Sequence, residues 1–144
     1  MPKLKNILII HTTSNAQNAA STADFKLEIG GAGPDVTIDF PRNQNQREKG
    51  KLDIYRLDVS QREVDSDAAG FTLIMIIKPS TSSPNTDAWL PSSIVVLGQQ
   101  SEDGALTLLG NHPFWGDWFD AGVDPAGDRA HEISGGELPF FDAG

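Results

Sequence analysis

The sequence predicts an all-β protein: an antiparallel β-sandwich of two sheets with about eight strands. Three observations carry that expectation. Apolar and polar residues alternate over short runs. Turn residues interrupt these runs along the whole length, with 14 Gly and 9 Pro among 144 residues. No stretch shows an apolar period of 3.6 residues over a helical length. Two sheets with one apolar face each bury those faces against one another. A chain of 144 residues suffices for one such core.

The elements follow in order. ILIIHTT (7–13) is a compact β-type run, and residues 15–21 form a small-polar loop. ADFKLEIGG (23–31) alternates strictly. Phe25, Leu27 and Ile29 point one way, and Asp24, Lys26 and Glu28 the other, until Gly30 and Gly31 end the strand. After a turn at 32–34, VTIDF (36–40) alternates again and stops at Pro41. NQREKG (45–50) is a charged loop leading into LDIYRLDV (52–59), where Asp53 and Tyr55 share a face. Asp53 is read as fixing the preceding loop and Tyr55 as packing. Residues 60–70 read as an acidic loop. FTLIMIIK (71–78) is apolar at nearly every position, as suits a central strand covered on both faces or one at a dimer contact. Residues 79–87 make a Ser/Thr/Pro connector. SIVVLG (93–98) and GALTLLG (104–110) are further strands, and 112–120 is aromatic-rich. Residues 121–144 mix Gly, Pro and Asp, with one short strand expected at 130–133. The expected organisation is a sandwich over 1–122 with a C-terminal extension, 123–144, docked on it.

Charge and composition narrow the function. Twenty acidic residues against eleven Lys and Arg give a formal net charge of -9. Nucleic-acid binders show a basic patch or stripe, so no nucleic-acid partner is expected. Charge alone gives no attraction to an anionic membrane either, although a bridging cation reverses that locally. Its general effect is solubility. The absence of cysteine excludes disulfides, thiolate metal sites and cysteine nucleophiles. The apolar run at 7–10 is too short for a signal-peptide core or a membrane span. The location stays open between the cytoplasm and export without a cleaved N-terminal signal.

Catalytic patterns are scarce. His11, His112 and His131 fall in no metal-ligand spacing, and no Gly-x-Ser-x-Gly elbow occurs. GGAGP (30–34) lies between two strands, with no helix after it to present N–H groups to a phosphate, and is read as a turn. No enzymatic activity is expected.

The order of these pieces resembles the PLAT domain, also called LH2, of lipoxygenases, lipases, polycystins and clostridial alpha-toxin. Thr12 and Thr13 close the first strand, and ASTADFKLEIGG (20–31) follows, with Asp24 on the last polar position of the first hallmark. Asn45, Glu48, Gly50, Asp53 and Tyr55 keep the spacing of the second, Asn-x-Phe-Glu-x-Gly-x-x-Asp-x-Phe, with Arg47 at its aromatic position. DAWLPSSIVV (87–96), after the strand at 71–78, matches the third. The resemblance covers roughly residues 5–120.

The resemblance implies a non-catalytic module that docks onto membrane lipid or a protein partner, assisted by calcium. Carried over by position, Asp24, Asn45 and Glu48 supply side-chain oxygens to the ion. The family uses exposed loop tryptophans against membranes and one buried tryptophan between the sheets. Trp89 precedes an apolar strand and is assigned to the core. Phe114, Trp115 and Trp118 are the lipid or partner candidates, unless they belong to a packed strand. The rival reading is a structural or assembly protein, a homo-oligomer without calcium or lipid, joined through 73–77 and the tail that carries PFF (139–141). A third reading is a carbohydrate-binding sandwich with Trp115 and Trp118 as sugar platforms.

Overall fold

The computed structural model describes residues 3–15, 25–31, 36–40, 50–77, 89–101, 104–115, 119 and 130–136. Nine strands occur among them: β1 (Asn6–Thr13), β2 (Phe25–Gly30), β3 (Val36–Asp39), β4 (Leu52–Asp58), β5 (Thr72–Ile77), β6 (Pro91–Gln99), β7 (Leu106–His112), β8 (Ala130–Glu132) and β9 (Gly135–Gly136). One sheet has the order β4-β1-β6-β7-β9 and the other β3-β2-β5-β8. Every pairing is antiparallel except the parallel contact of β7 with β9.

The alternation read from the sequence decides which side chains meet between the sheets. Ile7 and Ile9 of β1, Tyr55 and Leu57 of β4, and Ile94 and Val96 of β6 line one inner face. Phe25, Leu27 and Ile29 of β2 and Leu73, Met75 and Ile77 of β5 line the other. Together they form one buried cluster, extended by Phe40, Trp89, Phe119 and Ile133. At roughly 25 cal/mol per Å² of apolar surface removed from water, this cluster is the main stabilising element of the fold.

FTLIMIIK yields a central strand. β5 lies between β2 and β8, with Leu73, Met75 and Ile77 turned into the core. Ile74 and Ile76 face outward and are half-buried. The residues proposed as a subunit contact at 73–77 are therefore in large part core residues.

The described part of the tail, 130–136, joins both sheets, and PFF (139–141) lies outside the described residues. The expected strand at 130–133 is β8, at the edge of one sheet, and β9 joins the other sheet. Residues assigned to the extension thus give a strand to each sheet. A strand of two glycines has no side-chain alternation to reveal it. Its docking depends on Gly110, because a Cβ there would overlap the Ile133 carbonyl oxygen.

The acidic loop after β4 is a series of hydrogen-bonded turns. Arg62 N–H donates to the Val59 carbonyl (2.9 Å), Ala68 N–H to Asp65 (3.2 Å) and Phe71 N–H to Ala68 (3.1 Å). Val64 is buried, and its carbonyl accepts from Leu4 N–H at 2.8 Å. Asp58 accepts the Ser60 hydroxyl at 2.6 Å and the Ser60 N–H at 2.9 Å. These bonds, the hydroxyl's first, hold the Asp58 carboxyl below its ordinary pKa, with smaller help from Lys5 and Arg56.

Candidate functional site

The C-terminal end of β1 gathers several chain segments. Gly50 N–H donates to the Thr13 carbonyl at 2.9 Å, and Thr13 N–H to Lys51 at 3.0 Å. Ser14 N–H donates to Leu90 at 3.0 Å. Gly50 has a left-handed backbone (φ 68), and the Asn15 amide oxygen lies 2.5 Å from where a Cβ would stand. Both facts explain the glycine of the second hallmark: the turn requires left-handed φ, and the neighbour leaves no room.

Trp89 locks the same end from within. It is fully buried, and its indole N–H donates to the Thr13 hydroxyl at 2.9 Å. Its backbone exchanges two 2.8 Å hydrogen bonds with Phe119. Its ring meets His11 (4.6 Å), Phe25 (5.2 Å) and Phe119 (5.4 Å). The core assignment of Trp89 agrees with this placement.

The other aromatic candidates separate. Phe114 is 89% exposed, just beyond the end of β7. Trp115 is half-buried, stacked on Phe119 at 5.8 Å and set edge-on to His112 (4.9 Å) and His131 (5.5 Å). Part of its surface is thus committed to internal packing. Trp118 lies outside the described residues, as do Asp24, Asn45 and Glu48. Phe25, which follows Asp24, and Gly50, two residues after Glu48, sit at the Thr13 end with Phe114. Among the described residues, no group of three or more His, Asp or Glu side chains could hold a metal ion.

Asp53 is half-buried, with Lys51 Nζ at 3.8 Å, and Tyr55 is buried against Phe40 (5.1 Å). The histidines have structural surroundings. His11 is buried beside Tyr55 and Trp89. His112 Nε2 donates to the Ile133 carbonyl at 3.0 Å, and His131 packs on Phe119 at 4.6 Å.

One surface escaped the sequence reading. The outer face of the five-stranded sheet carries two apolar rows, bordered by Arg56 of β4 and Asn111 of β7. Register places Ile54, Ile10 and Val95 in one row across β4, β1 and β6. Leu8, Leu97 and Leu108 form a second row across β1, β6 and β7. Leu52, Ile54, Leu106 and Leu108 are exposed, Ile54 by 60%. A solvated sheet face ordinarily carries polar residues. The signal was present in ILII, IVVL and LTLL, which are apolar at both parities.

No family model and no curated protein matches this sequence. Solved structures do. The alpha-toxin of Clostridium absonum superimposes with a TM-score of 0.68 at 16% identity, over 92% of this chain and 32% of that one. The Clostridium perfringens alpha-toxin from an avian strain gives 0.70 at 14% identity, with the same coverage. A coral 8R-lipoxygenase, described as activated by calcium via a C2-like domain, gives 0.57 at 10% identity, over 90% of this chain and 16% of that one. At these identities the likeness is one of fold: a PLAT-like β-sandwich. The chain spans about a third of the length of the toxins and a sixth of the lipoxygenase.

Proposed function

We propose that this sandwich is a non-catalytic binding module that meets a lipid surface with its Thr13 end, assisted by calcium. The observation that carries the reading is Phe114, a large apolar side chain 89% exposed at that end. Transferring a side chain of this kind from water to an apolar phase is worth about 1.5–3 kcal/mol. A net charge of -9 opposes contact with anionic lipid. The natural first surface is therefore a zwitterionic bilayer. The folds of the toxins and the lipoxygenase support the class of function.

Calcium takes six to eight oxygens from carboxylates, amides and carbonyls. Asp24, Asn45 and Glu48 would supply three, from two loops whose neighbours are described at the Thr13 end. The Asn15 amide oxygen beside Gly50 is a further donor of the right kind. The bound ion would supply positive charge between an acidic protein and lipid phosphate. Co-sedimentation with phosphatidylcholine vesicles tests the reading. Binding that strengthens with millimolar calcium supports it; equal recovery in the supernatant with and without vesicles refutes it.

A second reading rests on a different observation, the apolar rows on the outer sheet face. Rows of this kind suit a protein partner, including a second copy of the chain. Light scattering across a hundredfold concentration range tests self-association. A constant monomer mass removes the homo-oligomer.

A further inference from the structure

At the end of the sandwich opposite Thr13, a cleft of about 450 Å³ opens between the close of β2, the start of β3 and the turns that follow β4. Ligand pockets commonly occupy about 300–1,000 Å³. Ile29 and Val64, both buried, and Val36 and Phe71, both partly buried, give it an apolar wall. Charged groups stand at its rim.

The rim is not neutralised evenly. Lys3 Nζ lies 3.8 Å from the Glu63 carboxylate, an exposed pair. Asp65 uses one oxygen to accept the Asp67 N–H at 2.9 Å. Arg62 forms no ion pair among the described residues. Its planar fork matches a carboxylate or a phosphate, each held by two parallel N–H donors.

The backbone here is set with some strain. Glu63 has φ 59, and it is the one non-glycine residue in the left-handed region among those described. It is held there from both sides, by the Arg62 N–H to Val59 bond and by the Leu4 N–H to Val64 bond. The reversal turns Val64 into the protein while Arg62 and Glu63 stay at the rim. Such residues concentrate at binding sites.

We propose that this cleft binds a small amphipathic monocarboxylate. Its apolar tail lies on Val36, Val64 and Phe71, and its carboxylate is held by Arg62. Among the described residues, the four ionisable side chains at the rim, Lys3, Arg62, Glu63 and Asp65, sum to zero, so a single negative charge is accommodated on Arg62. A dianionic head would be repelled by Glu63 and Asp65. The site lies at the far end from Phe114, so its occupancy is independent of the lipid contact proposed above.

Titration of octanoate into the full chain, followed by calorimetry and by amide shifts, tests the proposal. Saturable one-to-one binding is expected, with shifts at 29–31, 36 and 62–71. Arg62→Ala, an exposed change that leaves the fold intact, weakens binding at least tenfold. Ala68→Phe, which fills the cleft, abolishes it, and Phe114→Ser leaves it unchanged. Absence of saturation at millimolar octanoate overturns the proposal. So does equal affinity in Arg62→Ala, equal affinity for uncharged octyl glucoside, or tighter binding of octyl phosphate.

Discussion

Removing the indole nitrogen of Trp89 tests how the Thr13 end is held. Trp89→Phe keeps an aromatic ring between His11, Phe25 and Phe119 but deletes the donor to the Thr13 hydroxyl, 2.9 Å away. Thr13 and Trp89 are both buried, so water does not replace the bond. Losing one partner of a buried hydrogen bond costs about 1–3 kcal/mol. The two lost ring carbons add about 1.6 kcal/mol at about 0.8 kcal/mol per buried carbon. The expected destabilisation is about 3–5 kcal/mol, against a typical total of about 5–15 kcal/mol. Thr13→Val, nearly the same shape, leaves the indole N–H without its acceptor and costs about 1–3 kcal/mol. The double variant removes both partners and should cost less than the sum, with a coupling of about 1 kcal/mol or more. Urea unfolding followed by far-UV circular dichroism measures all three variants without relying on tryptophan emission. Additivity within about 0.3–0.5 kcal/mol would refute the reasoning, because Trp89 would then stabilise by volume alone.

Further expectations concern other parts of the fold. Gly110→Ala should cost about 1–3 kcal/mol, since the new methyl group meets the Ile133 backbone carbonyl and the β7–β9 contact must open; an unchanged urea midpoint would count against the close approach. Asp58 has a lowered pKa in the folded state, so its contribution is present above the ordinary carboxylate value of 3.8 and is lost as pH falls through the lower folded value. The stability gap between wild type and Asp58→Asn should therefore close on acidification below that point, and a gap that persists there would contradict the assignment to Ser60. Phe114→Ser should change stability by less than about 0.5 kcal/mol, because the ring is exposed; a larger loss in thermal unfolding would mean that the ring packs.

Much of the fold was legible because strand alternation is a local property. Phe25, Leu27 and Ile29 were separated from Lys26 and Glu28 by parity alone, and they became the inner face of β2. Gly50 was legible through its spacing, and its left-handed backbone supplies the cause. The unread parts depend on tertiary contacts. β9 has no side chains to announce it. The aromatic cluster at 114–119 splits because Phe119 pairs with Trp89, a partner 30 positions away in sequence, and no local pattern shows that. Ile54 and Leu108 looked like ordinary strand residues; their exposure follows from which sheet face the second sheet covers. Of the six candidate site residues, only Phe114 and Trp115 lie among the described residues, and the structure assigns them different surroundings.

The most direct test of the lipid-facing role compares wild type with Phe114→Ser in flotation on phosphatidylcholine vesicles, each with millimolar calcium and with a chelator. Loss of a Phe contact worth about 1.5–3 kcal/mol weakens partitioning by roughly tenfold or more. Wild type should float with the vesicles, more strongly with calcium, and Phe114→Ser should stay largely behind while remaining folded. Equal flotation of the two proteins, or none by either, would contradict a lipid contact at the Thr13 end.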